Sequence, residues 1–354
     1  MKKLLYILLA TILLTLAACG KQISTTIASN SMTNGTIIQR PSSTMPTLST
    51  SERMSVPTTF PTAPTISAVP TAPSGPEPDY AVVSYDLQNQ NSGITYTGLP
   101  SLPSTKYLLP DPMNMRHLST ERIDHAFGVA SDGKPHWITV ENQQRFDSWG
   151  TDALAWDNIT QEKVLYLTFD CGYEYGDITS QILDVLEEKQ VNTTFFCTMT
   201  YLRSAPEVVA RMIEEGHNVG NHSLSHPADC AALSREQMVV EALAVENYLR
   251  VNFGYSAKYF RFPSGTYSEN AIDALHSVGY RSVFWSIAYA DWDPENQMEE
   301  AAALDLLTQR LHPGAVILLH TTSPVNAAIL TDFIDECLAQ GYRFCSLDDY
   351  PGWN

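Results

Sequence analysis

The spacing of apolar positions changes along this 354-residue chain, and the changes divide it. Residues 4–16 form an apolar stretch behind Lys2 and Lys3. It is shorter than the roughly 20 residues that cross a bilayer and suits the core of a secretory signal. Residues 20–79 carry few large apolar side chains and hold nine Pro, twelve Thr and ten Ser. Such a segment cannot bury enough surface to offset its chain entropy, which predicts a disordered tether. As a flexible coil it has an end-to-end distance of roughly 45 Å. Residues 80–160 read as an N-terminal extension packing on the main domain. In it, 81–85 and 136–140 are expected as short strands and 99–112 as turns and extended chain.

From residue 161 to 354 the pattern is regular. Short apolar runs at 164–169, 193–196, 217–220, 259–262, 282–286, 315–319 and 343–346 read as strands. Helices lie between them. The first buries Ile178, Ile182, Leu183, Val185 and Leu186 at near-helical spacing. The next is expected to be capped by Ser204, with Pro206 in its first turn and Gly216 closing it. Ser234 and Gln237 spell a capping box for a helix reaching Arg250. Further helices are expected at 270–277, 304–311 and 327–340. Seven strands alternating with helices predict an α/β fold with a mostly parallel sheet, for which a barrel and an open sheet both serve.

Composition narrows the class. Apolar residues make up 44 %, enough for a sizeable core. The 21 basic residues against 39 acidic ones give a net charge of −18, which excludes nucleic acid as a partner, since that needs a basic patch. The signal-like stretch ends in Leu16-Ala17-Ala18-Cys19-Gly20. Small residues ahead of a cysteine suit a lipoprotein box in which Cys19 is lipidated, giving an extracytoplasmic protein anchored to the cell membrane. The alternative is an ordinary signal cut after Ala18. Cys171, Cys197, Cys230, Cys337 and Cys345 remain, an odd number, so at least one is unpaired in a monomer, the expected state. Cys337 and Cys345 could form a disulfide or be two buried thiols.

The polar residues with chemical potential stand at or just after strand ends, where such folds place active sites. Asp170 follows the first strand, His222 and His226 the third, Arg261 ends the fourth, Asp291 follows the fifth and His320 the sixth. His222 and His226 are four apart; on a helix they would share one face and could share a metal. Each residue alone has an ordinary explanation: a turn carboxylate, surface histidines, a salt-bridge arginine or, for Trp292, a core aromatic.

The ordered set is more specific. Thr168-Phe169-Asp170-Cys171-Gly172, His222-Ser223-Leu224-Ser225-His226, Arg261-Phe262-Pro263-Ser264-Gly265, Asp291-Trp292 and Leu318-Leu319-His320 closely resemble the motifs of the polysaccharide deacetylase family of carbohydrate esterases. The wider context is most similar to the bacterial delta-lactam-biosynthetic de-N-acetylases, which act on N-acetylmuramic acid in peptidoglycan. The resemblance implies a distorted (β/α) barrel of about seven strands and glycan strands of peptidoglycan as substrate. It implies that Asp170 is the general base and His320 the general acid, that Arg261 orients Asp170 and Asp291 tunes His320. It also implies that His222 and His226 hold a divalent metal, commonly zinc, and that Trp292 and Leu318 shape the acetyl pocket. Two positions depart from the family. Many members carry a second Asp where Cys171 stands, so Cys171 is either a thiolate ligand or a bystander that leaves His222 and His226 with Asp170 or water; the bystander is favoured, because a thiolate would blunt the metal's Lewis acidity. Ser264 stands where many members have an aromatic residue. Deacetylases of chitooligosaccharide or acetylxylan, and a non-catalytic glycan-binding lipoprotein, are the alternatives.

Overall fold

The computed structural model describes residues 80–83, 107–125 and 128–353; the expected signal, Cys19 and the tether lie outside the described residues. Strand β1 (Tyr80–Val83) pairs antiparallel with β2 (Tyr107–Pro110), and β3 (Ile123–Asp124) follows. Residues 136–140, expected as a strand, instead open helix α1 (Trp137–Trp149). The His136 side chain accepts from the backbone of Ile138, and Gly150 ends the helix in the left-handed region. The buried face is Thr139, Asn142, Gln143 and Phe146. Helical spacing is there, but it is carried by polar residues, so no apolar period reveals it.

The barrel begins with β4 (Ala153–Leu154), a strand inside the segment read as an extension. Then come β5 (Val164–Cys171), α2 (Ile178–Lys189), β6 (Thr194–Cys197) and the short α3 (Met199–Ser204). Ser204 ends α3 and caps nothing: α4 (Pro206–Glu214) starts on Pro206, whose fixed φ and missing N–H suit a first turn. Next are β7 (Asn218–Asn221) and α5 (Arg235–Phe253), where Ser234 and Gln237 form the expected capping box. The chain continues through β8 (Tyr259–Phe260), β9 (Thr266–Tyr267), α6 (Glu269–Ser277) and β10 (Arg281–Val283). It ends with α7 (Glu300–Gln309), β11 (Ala315–His320), α8 (Pro324–Ala339) and β12 (Arg343–Phe344).

The main sheet runs β11-β5-β6-β7-β8-β10-β4, with β12 also on β5, and all its pairings are parallel. Beyond β10, Ile287 bridges Ile317 of β11 and curls the sheet into a distorted (β/α) barrel. Alternation along the strands separates two cores. Leu165, Leu167, Phe169 and Cys171 face the helices, with Phe195, Cys197, Ile317 and Leu319. Val164, Tyr166, Phe196, Tyr259 and Val316 fill the barrel interior, closed by Leu347 and Tyr350. Each such side chain, fully buried, contributes about 1.5–3 kcal/mol.

Candidate active site

Strand alternation and register build the centre of the site. Asp170 and His320 are register partners on neighbouring parallel strands, so both side chains point to the same face. Leu318, two residues before His320, shares that face. A cavity of about 700 Å³ opens there, lined by Asp170, His222, His226, Trp292, Leu318 and His320 among others. The strand ends and the loops that follow them thus gather six of the expected residues around one hollow, with Arg261 bonded to Asp170 and Asp291 to His320 behind them.

Arg261 is fully buried and its Nη1 donates to Asp170 Oδ1 at 2.9 Å. Its other nitrogens donate to the carbonyls of Val283 and Phe284, both at 3.1 Å, and its guanidinium lies 4.1 Å from the centroid of Phe196. The planar fork is therefore fixed on every side. Burial alone would raise the Asp170 pKa, but His222, Arg261 and His320 together hold it below its ordinary value. The carboxylate is ionised and ready to accept a proton.

The His222–His226 segment is not helical. Ser223 and His226 both take positive φ, 73° and 52°. The turn is held by Asn221 Oδ1, which accepts from the backbone N–H of Ser223, and by Ser223 Oγ, which accepts from that of His226. Glu241 accepts from the backbone N–H groups of Leu224 and Ser225. This loop brings the two imidazoles to 5.1 Å between centroids. His222 Nδ1 donates to the Arg261 carbonyl at 2.9 Å, which turns Nε2 toward Asp170 Oδ2 at 3.5 Å. Burial pushes the His222 pKa down to about 4, against the pull of Asp170.

Among the described residues no three His, Cys, Asp or Glu side chains are already gathered around one metal position. The donor chemistry nonetheless fits a divalent cation. His222 is neutral, with its far nitrogen committed to a carbonyl, the arrangement that orients ligating histidines. His226 and the Asp170 carboxylate stand beside it. Cys171 does not join them. One residue on from Asp170 it faces the opposite way, into the helix-side core beside Cys197. Burial pushes its thiol well above the ordinary range. Cys337 and Cys345 are both free thiols.

On the other wall, His320 Nδ1 donates to Asp291 Oδ1 at 2.7 Å, and the His320 backbone N–H donates to Oδ2 at 2.8 Å. Burial works against protonation of His320, but Asp291, and then Asp170, raise its pKa above the ordinary value. Trp292 is half exposed at the mouth, its ring 6.3 Å from that of His320.

Two contributors carry no signal legible in the sequence. Asn326 sits wholly buried in the first turn of α8. Its Nδ2 donates to Asp291 Oδ2 at 2.7 Å and to the His320 carbonyl at 3.0 Å, while Tyr289 donates to its Oδ1. His125, from the N-terminal segment, also lines the cavity.

The family model for polysaccharide deacetylases matches residues 157–283. The peptidoglycan-N-acetylmuramic acid deacetylase PdaA of Bacillus subtilis is 41 % identical over 191 residues, which cover 54 % of this chain and 72 % of that protein. A chitooligosaccharide deacetylase of Sinorhizobium fredii is 32 % identical over 178 residues, 49 % of this chain and 80 % of that one. The solved structure of Bacillus subtilis PdaA, a family 4 carbohydrate esterase, superposes with a TM-score of 0.61 at 36 % identity, covering 66 % of this chain and 98 % of that one. With its barrel, ordered motifs and relatives all in agreement, the chain belongs to the polysaccharide deacetylase family and is a hydrolase of the deacetylase type.

Proposed function

We propose that this enzyme is a metal-dependent de-N-acetylase of peptidoglycan that acts on N-acetylmuramic acid, tethered outside the cell membrane through a lipid on Cys19. The observation that carries the chemistry is the neighbouring pair Asp170 and His320, register partners whose side chains line one cavity, with the carboxylate pKa held down and the imidazole pKa held up. Their environments push the two pKa values apart, as a base and an acid working together require. The substrate assignment rests on the 41 % identity to the Bacillus subtilis muramic acid deacetylase.

The residues divide the hydrolysis between them. His222 and His226, with Asp170 at hand, would hold the metal, zinc being the expected ion. When bound, such a cation polarises the acetyl carbonyl and lowers the pKa of water. Asp170 accepts the proton of the attacking water through Oδ2, since Oδ1 is held by Arg261. His320 has Nδ1 fixed by Asp291, so Nε2 is the atom that donates to the departing sugar nitrogen. One water is consumed; acetate and a free amine leave. Leu318 and Trp292 enclose the methyl group and keep competing water away.

The decisive test is mass spectrometry of muropeptides after incubation with the protein loaded with zinc or cobalt. Loss of acetyl from muramic acid is expected. Deacetylation of glucosamine alone transfers the enzyme to the glucosamine class, and release of no acetate from any glycan makes it a binding lipoprotein. Labelling with a fatty acid, lost in Cys19→Ala, checks the anchor. A single mass near 39 kDa or below in light scattering checks the expected monomer.

A further inference from the structure

The catalytic cavity has a wall from outside the segment that the family model matches. His125 lies upstream of residue 157, yet it lines the cavity and is 2 % exposed. It is brought there by backbone pairing. Strand β3 runs antiparallel to β9, and the His125 backbone N–H donates to the Gly265 carbonyl at 2.9 Å. Gly265 holds φ at +66°, and a Cβ there would stand 2.8 Å from the His125 carbonyl and 2.9 Å from the Trp285 ring. Only glycine lets the two segments approach this closely.

The hydrogen bonds around His125 fix its tautomer. Asn142 Oδ1 accepts from Tyr267 Oη at 2.8 Å and from Arg145 Nη1. The Asn142 amide nitrogen must therefore face His125, where it meets Nδ1 at 2.9 Å. Nδ1 accepts, so the ring proton is on Nε2, which donates to the Trp285 carbonyl at 2.6 Å. Ring contacts with Phe284 and Trp285, each 5.0 Å between centroids, hold the imidazole in place.

That carbonyl matters because of its neighbours. β10 pairs with β8 as far as Ser282, and contact with β11 resumes at the N–H of Ser286. Across the gap three successive carbonyls are taken by side chains: Val283 and Phe284 by Arg261, and Trp285 by His125. We infer that His125 is a positioning residue of this active site: by holding the third carbonyl it fixes the strand on which Arg261 is seated, and through Arg261 the direction of the Asp170 carboxylate. The inference rests on the proposed role of Asp170 as base, but not on which sugar is deacetylated.

Acetate release by the full-length, metal-loaded protein tests it, using acetylated peptidoglycan and chitooligosaccharide in parallel. His125→Phe keeps the ring contacts and removes both nitrogens. Its kcat is expected to fall about 10²-fold, the cost of misplacing a reacting group by about 1 Å, with KM changed less than about threefold. His125→Gln, which retains a donor, should recover at least about tenfold of that loss. The melting temperature of His125→Phe should fall by only a few degrees, the cost of leaving the Asn142 amide and the Trp285 carbonyl without this partner, and that of His125→Gln by less. A His125→Phe enzyme with wild-type kcat, or a loss confined to KM, overturns the inference; a wild type that releases no acetate defeats the proposed function instead. Long-range proton–nitrogen NMR of the wild type decides independently of activity and of how the variants fold. A proton on Nε2 alone at neutral pH is expected, and a proton on Nδ1 overturns the assignment.

Discussion

Replacing Asp291 by Asn probes the proton affinity of His320 with little change in shape. The carboxylate is fully buried, and its bond to His320 Nδ1 is 2.7 Å long. A hydrogen bond to a charged group contributes about 1.5–3 kcal/mol. One pKa unit corresponds to about 1.4 kcal/mol, so the His320 pKa should fall by about 1–2 units. The direction follows from the structure: Asp291 raises the value against the effect of burial, and without its charge burial prevails. The alkaline limb of kcat, set by the loss of the His320 proton, therefore moves to lower pH by about 1–2 units, measured as acetate release from about pH 5 to 9. Stability carries the same signature. A raised imidazole pKa stabilises the fold fully below its unfolded value of about 6.5, and the contribution is lost as pH rises through the folded value. The destabilisation of Asp291→Asn should thus be largest near about pH 6 and fade toward about pH 9. An alkaline limb that stays in place while kcat drops equally at every pH would refute the assignment of His320 as the acid.

Arg261→Met leaves Asp170 buried without its guanidinium. Denaturant unfolding should show a loss of about 3–5 kcal/mol. The acid limb of activity should move to higher pH, because Asp170, now held low, would take up a proton sooner. His222→Ala and His226→Ala should each abolish stoichiometric zinc, read by elemental analysis, together with activity. Cys171→Ser should leave zinc affinity unchanged, because the thiol faces the core; a shift of tenfold or more makes it a ligand. Gly265→Ala should lower the thermal midpoint, since a left-handed backbone and the His125 carbonyl both oppose a Cβ; the cost is about 1 kcal/mol or more.

The period of the apolar runs determined the parallel strands from β5 onward, and the capping box at Ser234 and Gln237 determined where α5 starts. Those signals are local: they depend on which residues follow one another and on the fixed geometry of helix and strand. The ordered motifs likewise placed Asp170, His222, His226, Arg261, Asp291 and His320 near strand ends. Register then decided what sequence could not. It set Asp170 beside His320, while the continuation of β5 through Cys171 turned that thiol to the opposite face. Helix α1 was hidden because its buried face is Asn142 and Gln143, whose burial depends on distant hydrogen-bond partners. The turn from His222 to His226 takes its shape from Asn221 and Glu241 rather than from any helical period. Asn326 and His125 gain their roles from carbonyls and carboxylates far away in the chain. Contacts between remote segments leave no periodic trace in either segment, so only the folded barrel discloses them.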